Sequence, residues 1–162
     1  MEGFRIGFGY DSHRFADGRR LVLGGVEFPG ERGLAGHSDA DVVAHALIDA
    51  MFGAAALGDI GSHFPDTDEK WRGADSVELL AAAAAELREA GWELSNADIT
   101  VICERPRIGP RAQEMRRRLA QAAGCDERCV SVKGKTNEKM DDVGAGVGIE
   151  AHAAVLLKGR CI

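Results

Sequence analysis

The sequence predicts an α+β fold: a mixed β-sheet with helices packed on one face, in a single domain spanning residues 1–162. Three observations carry this prediction. Hydrophobic patterning runs strand–strand–strand–helix–helix–strand–helix–strand–strand, an order that suits a sheet covered on one side. The first and last strand patterns alternate cleanly, so each has one face suited to packing. The chain has 162 residues, 45% hydrophobic and 28% charged, enough to close one core and too apolar to stay disordered.

The elements run in this order. From Phe4 to Phe15, Phe4, Ile6, Phe8 and Tyr10 fall on one strand face, and Gly7, Gly9, Asp11 and His13 on the other. The two glycines leave room for another element to approach the backbone closely. Leu21–Leu23 and Val26–Phe28 flank Gly24-Gly25 as a hairpin. Ser38 reads as a helix N-cap, with Asp41 three residues on and an apolar stripe of Val42, Val43, Ala46, Leu47, Ala50 and Met51. Residues 57–73, rich in Gly, Asp and Pro, read as an ordered loop.

A second helix spans about Ser76 to Ala90, buried through Val77, Leu80, Ala84 and Leu87, with Gly91 at its end. Ile99, Val101 and Cys103 mark a strand. Pro110 opens a third helix with Met115 and Leu119 inward and Arg111, Arg117 and Arg118 toward solvent. Val130 and Val132 mark another strand. The last has Ile149, Ala151, Ala153, Val155 and Leu157 on one face, and Glu150, His152 and Ala154 on the other. Burial of that other face against copies of the chain predicts a homo-oligomer.

Net charge of −6 has the wrong sign for general nucleic-acid affinity. No apolar run approaches the ~18–20 residues that a membrane span needs, and the first residues carry no signal core. Cytoplasmic residence is the expectation, with Cys103, Cys125, Cys129 and Cys161 as reduced thiols.

The chemistry begins with Asp11-Ser12-His13, since residues i and i+2 on a strand aim at one point. His45 lies in the first two turns of the next helix, one turn after Asp41. If that helix packs on the glycine-lined strand face, Asp11, His13 and His45 form a three-ligand N/O set, which leaves a catalytic zinc an open position, with Asp41 orienting His45. Each residue alone reads first as an ordinary polar side chain; only the three together, on elements that must adjoin, bring the metal reading level with it, and spacing goes no further. His37 and Ser38 precede a helix where N–H groups favour an anion, although Ser38 reads on position as a cap. Asp59, Asp66 and Asp68 suit Asx turns, a cation or sugar hydroxyls. Lys133, Lys135, Thr136 and Glu138 precede Gly144, Gly146 and Gly148, a weak phosphate-cradle pattern. Arg107 suits a phosphate or solvent.

Taken together, GYDSHRF, GHSDADVVAHALIDAMFGAAALGDIGSHFPDTD, GADS and KGKTNE resemble the 2-C-methyl-D-erythritol 2,4-cyclodiphosphate synthase family, in order from about Ile6 to Leu157. The resemblance implies a homotrimer with active sites between subunits. It implies a reaction in the non-mevalonate isoprenoid pathway: 4-diphosphocytidyl-2-C-methyl-D-erythritol 2-phosphate cyclises and expels CMP. It assigns Zn²⁺ to Asp11, His13 and His45, and transition-state stabilisation to His37 and Thr136. Ser38 would hold phosphate. Asp59, Ile60, Gly61, Phe64, Pro65, Asp66, Thr67 and Asp68 would line the erythritol and diphosphate region, in which Asp11 and His13 also take part. Cys103, Glu104, Arg105, Pro106, Arg107, Ile108 and Gly109, with Lys135, Thr136, Asn137 and Glu138, would surround the cytidine and its phosphates. Glu138 is the candidate ligand for a second metal, Mg²⁺ or Mn²⁺.

The chain departs from the family pattern in places. Asp142 replaces an aromatic, Ala145 an Arg, Val147 a Glu, Arg107 a Lys and Lys135 a Thr. Asp142, Ala145 and Val147 fall on the family's phosphate-like ligand site along the trimer axis, away from the zinc set. Competing readings are a metal-dependent phosphohydrolase and a non-catalytic trimeric module that binds a phosphate ligand.

Overall fold

The computed structural model describes residues 3–159. In chain order its elements are β1 (Phe4–Ala16), β2 (Val22–Leu23), β3 (Val26–Glu27), β4 (Gly33–Leu34), α1 (Val42–Ala55), α2 (Ile60–His63), α3 (Ser76–Glu89), β5 (Trp92–Ile102), α4 (Ala112–Ala123), β6 (Val130–Lys135), α5 (Asp141–Gly144) and β7 (Gly148–Gly159). The main sheet has the order β4-β1-β7-β5-β6, and β2 pairs with β3 in a separate hairpin. β7 is antiparallel to both β1 and β5, whereas β5 and β6 run parallel, so the sheet is mixed as expected.

The helices share one face of the sheet. α1 sits directly on β1 and β7 because nothing larger than hydrogen stands in its way: a Cβ on Gly7 would come 2.0 Å from the Ala50 carbonyl oxygen, and one on Gly9 would come 1.9 Å from that of Ala46. Gly9 pairs with Ala153 and Gly7 with Val155, so the neighbouring strand offers short side chains at the same contact. α1 is buried nearly all round, at Ala44, Ile48, Phe52, Ala54 and Ala55 beyond the predicted stripe. Such a helix has structure on both sides, here the sheet and α3. The predicted buried row of β7 is buried throughout, and Met115 and Leu119 close the core under α4.

The opposite face is open in the single chain. Phe4, Ile6, Phe8 and Tyr10 are 70, 83, 65 and 45% exposed, and Ala154 of β7 is exposed beside them. These side chains form one exposed apolar row along the strand.

Several expectations are corrected. Asp41, not Ser38, caps α1: its carboxylate accepts from Val43 and Ala44 N–H. The 57–73 loop contains the one-turn helix α2, capped by Asp59 through the Ser62 N–H, and a turn at Glu69–Trp71 capped by Asp68. The third helix begins at Ala112, after a tight turn over Gly109–Arg111 that holds Pro110. The stretch before β7 forms α5, whose start is tied by the Asp141 carboxylate to Val143 and Gly144 N–H. Cys103, Cys125 and Cys129 are free thiols, and Cys161 lies outside the described residues. Among the described residues no helix is long and apolar enough to cross a membrane.

Candidate metal centre and substrate cavities

Asp11 and His13 leave β1 on its glycine face, and α1 delivers His45 to the same point. The Asp11 Oδ2 atom lies 2.9 Å from His13 Nε2 and 3.1 Å from His45 Nδ1, and the two nitrogens are 3.4 Å apart. These three atoms form the one cluster of metal-ligating groups found among the described residues. Two ligands of a tetrahedral ion with bonds of about 2.0 Å stand roughly 3.3 Å apart, close to all three edges. The donor set therefore fits a divalent cation.

The electrostatics agree. Burial opposes ionisation of Asp11, but the two imidazoles override it and hold the carboxyl down at about 2. Burial likewise disfavours the His45 imidazolium, yet Asp11, with Asp41 and Asp39 beyond, moves its pKa above the ordinary value. A carboxylate and two imidazoles drawn this tightly together compete for protons where a cation would serve all three.

Asp41 does not orient His45. Its carboxylate is fully buried and accepts from the N–H groups of Gly24 (2.8 Å), Gly25 (2.7 Å), Val43 and Ala44 (both 3.1 Å). Burial pushes this carboxyl up to about 6, against the pull of those donors. Asp41 thus fastens the β2–β3 hairpin to the start of α1. The far nitrogen of His45, Nε2, instead meets Ser76 Oγ at 2.9 Å and Ser38 Oγ at 3.2 Å.

A cavity of about 410 Å³ opens beside the cluster, lined by His13, His37, Ser38, His45, Ile60, Gly61, Phe64, Pro65 and Asp66. Trp71 and Leu79 also line it, and neither was anticipated; Trp71 meets Phe64 edge-on at 5.1 Å. The loop holding His37 is fastened by Arg19, whose guanidinium donates to the Gly36 and Ser38 carbonyls. The Asp49 carboxylate accepts from Ile60 N–H and anchors the other wall to α1. Asp59 and Asp68 serve their turns, and with Thr67 they flank the cavity without lining it.

The second group of predicted residues lines a different cavity, of about 480 Å³: Cys103, Glu104, Pro106, Arg107, Ile108 and Gly109 on one side, Lys135 and Thr136 on the other. A Cβ on Gly134 would stand 2.7 Å from that of Ile108, so glycine lets the two walls meet. Arg105 faces the adjoining cavity near Phe28 and Glu31. Glu104 accepts from Asn137 N–H (3.0 Å), and Thr136 Oγ1 donates to the Glu138 carboxylate (3.0 Å). The Lys133 ammonium is taken up by Asp98, which removes it from the predicted cradle. His37 and Thr136 line separate cavities in one chain.

Residues 4–158 match the model of the YgbB family. The chain is 56% identical over 155 residues to the 2-C-methyl-D-erythritol 2,4-cyclodiphosphate synthase of Symbiobacterium thermophilum, covering 96% of this chain and 99% of that protein. It is 58% identical over 152 residues to the bifunctional enzyme IspD/IspF of Anaeromyxobacter sp. (strain Fw109-5), covering 94% of this chain but only 39% of that longer protein. Among solved structures, the bifunctional IspDF of Campylobacter jejuni superposes with a TM-score of 0.94 at 41% identity, over 99% of this chain and 43% of that one. The CDP complex of Plasmodium falciparum IspF superposes with a TM-score of 0.86 at 32% identity, over 99% of both chains.

Proposed function

Because this chain belongs to the YgbB family, we propose that it cyclises 4-diphosphocytidyl-2-C-methyl-D-erythritol 2-phosphate to 2-C-methyl-D-erythritol 2,4-cyclodiphosphate, with release of CMP, in the cytoplasm. The observation that carries this reading is the Asp11–His13–His45 triangle opening onto a cavity that also holds His37, Ser38 and Asp66. An oxygen of the 2-phosphate forms a bond to the β-phosphorus. The bond from that phosphorus to the oxygen shared with the α-phosphate breaks, and CMP leaves with the electron pair. Little covalent work falls to the protein in such a transfer, so positioning and charge neutralisation dominate.

Asp11, His13 and His45 hold the cation, taken as Zn²⁺, which supplies Lewis acidity toward the diphosphate. His37 and Thr136 donate to phosphate oxygens as charge develops, the Thr136 hydroxyl turning away from Glu138 to do so. Ser38 holds a phosphate, and Ile60, Gly61, Phe64, Pro65 and Asp66 enclose the erythritol, with Asp59, Thr67 and Asp68 flanking them. The walls from Cys103 to Gly109 and from Lys135 to Glu138 take the cytidine end, with Glu138 offering a carboxylate to Mg²⁺ or Mn²⁺. That the Plasmodium falciparum relative was solved as a CDP complex supports a cytidine-diphosphate ligand.

A homotrimer completes the site. Two features support it: the exposed apolar row of β1, and the division of the predicted residues between two cavities that a neighbouring copy would join. Light scattering of the purified protein tests the assembly. The activity is tested by incubating protein, Zn²⁺, Mg²⁺ and substrate, following CMP by chromatography and the second product by ³¹P NMR. Equal release of CMP and a cyclic diphosphate is expected. Linear product would mean a phosphohydrolase, and substrate retained without CMP would mean a binding module.

A further inference from the structure

The imidazole of His45 has two nitrogens with different surroundings. Nδ1 faces the Asp11 carboxylate and His13. Nε2 faces two hydroxyls on the opposite side, the nearer being Ser76 Oγ at 2.9 Å. Ser76 has no exposed surface, and Ser38 is 8% exposed. The groups around these hydroxyls fix the direction of each hydrogen bond.

The hydrogen bonds end at the Asp39 carboxylate, which only accepts. Its Oδ1 takes the Ser76 hydroxyl in a very close contact and the Asp41 N–H at 3.1 Å; its Oδ2 takes the Ser76 N–H at 3.1 Å. With its one proton given to Asp39, the Ser76 oxygen has only lone pairs left for His45. Ser38 Oγ already accepts the Ala40 N–H at 3.1 Å, and its own proton can be directed to Ser76 Oγ at 3.5 Å. The 2.9 Å contact between Nε2 and Ser76 Oγ is therefore a hydrogen bond only if His45 supplies the hydrogen. A neutral imidazole carries one N–H. If that N–H sits on Nε2, Nδ1 presents a bare lone pair toward Asp11 Oδ2 and His13 Nε2.

We infer that Ser76 and Asp39 are positioning residues that hold His45 as its Nε2–H tautomer and so aim its Nδ1 lone pair at the cation site. This rests on the reading of Asp11, His13 and His45 as metal ligands. Groups that hydrogen-bond the outer nitrogen of a ligating histidine fix its tautomer and ring orientation, and removing them typically costs about 10- to 100-fold in metal affinity. The arrangement here puts a hydroxyl between carboxylate and imidazole. It also draws its parts from two places: Asp39 precedes α1, and Ser76 opens α3. The packing of α3 against α1 thereby reaches the metal site.

The test uses metal-stripped full-length protein titrated with Co²⁺, whose visible absorption reports coordination, and with Zn²⁺ against a competing chelator. Wild type is expected to take one ion per chain with a four-coordinate Co²⁺ spectrum. Failure of wild type to bind would defeat the metal reading itself, and is distinguishable from a loss confined to the variants. Ser76→Ala is expected to lose about 10- to 100-fold in affinity while melting close to wild type.

Asp39→Asn provides the second arm. The amide keeps the shape but leaves one acceptor oxygen for the three donors that the carboxylate takes, the Ser76 hydroxyl, the Ser76 N–H and the Asp41 N–H, so the Ser76 hydroxyl is no longer held away from Nε2. A comparable loss of affinity is expected. Long-range ¹H–¹⁵N spectra of the Zn²⁺ form are expected to show His45 hydrogen on Nε2 and metal on Nδ1. Wild-type affinity in either folded variant, or a His45 bound through Nε2, would overturn the inference. If Ser76→Ala does not fold, the spectra and Asp39→Asn decide it.

Discussion

Gly9→Ala tests whether the metal centre depends on how closely α1 lies on β1. The added methyl would begin 1.9 Å from the Ala46 carbonyl oxygen and 2.6 Å from the Ala50 N, both backbone atoms, where ordinary contact begins at 3.4 Å. Helix and strand must separate by about 1.5 Å to relieve the nearer clash. Ala46 adjoins His45, so the same separation carries His45 Nδ1 away from Asp11 Oδ2 and His13 Nε2, now 3.1 and 3.4 Å distant. Two ligands of one ion can stand no farther apart than twice the bond length, about 4.2 Å for nitrogen and oxygen donors. Taken along those two edges, the separation would lengthen them to about 4.6 and 4.9 Å, past that limit, and a three-ligand site would become a two-ligand one. Overpacking of this kind costs about 1–3 kcal/mol, or roughly 3–10 °C in Tm for a chain of this size.

The assay pairs a thermal melt with Co²⁺ titration of the stripped protein. Gly53→Ala is the control: Gly53 lies on α1, exposed, with open space at its Cβ position, so the change should raise helix stability by about 0.5–1 kcal/mol and leave metal affinity alone. A Gly9→Ala protein that binds Co²⁺ as tightly as wild type would refute the claim that this close approach positions the centre.

Removing a ligand directly, as in His13→Ala or His45→Ala, should abolish turnover while the melt and oligomeric state stay near wild type; retained full activity would contradict the ligand assignment. Metal affinity should weaken as pH is lowered through the neutral range. The cation needs neutral imidazole, and the Asp11 carboxylate outweighs burial to hold His45 protonated to a higher pH than usual; affinity that is flat from pH 8 to 6 would speak against this. Burial, with Glu104 and Glu31 nearby, pushes the Cys103 thiol up to about 12. Iodoacetamide at pH 8 should therefore leave Cys103 unmodified until the protein is denatured, and native labelling as fast as in urea would show the thiol is accessible. Replacing Ile6 and Phe8 together by Asp, on the exposed row of β1, should yield a folded monomer by light scattering, whereas an unchanged oligomer would show that the row is not the interface.

The parts of this protein that were legible in its sequence are those that repeat over short distances. Strand period placed Asp11 and His13 together on the face of Gly7 and Gly9, and helical period placed His45 where α1 could meet them. The buried row of β7, the hairpin at Gly24-Gly25 and the span of α3 were legible for the same reason: neighbours along the chain decide them. Beyond that reach, several readings were open. Ser38 and Asp41 are both competent caps one turn apart, and the choice fell to Asp41 because its carboxylate also answers two N–H groups of the hairpin. Lys133 resembled a phosphate ligand until β5 brought Asp98 beside it.

Tertiary structure alone decided what stands behind His45. Ser76 is 31 residues away in the chain, and only the docking of α3 against α1 brings its hydroxyl to the imidazole. It also decided that His37 and Thr136 open into different cavities of one subunit. A periodic pattern records which face of an element is buried, but not which distant element buries it; side-chain partners drawn from separate elements are fixed by packing, and they leave no local trace.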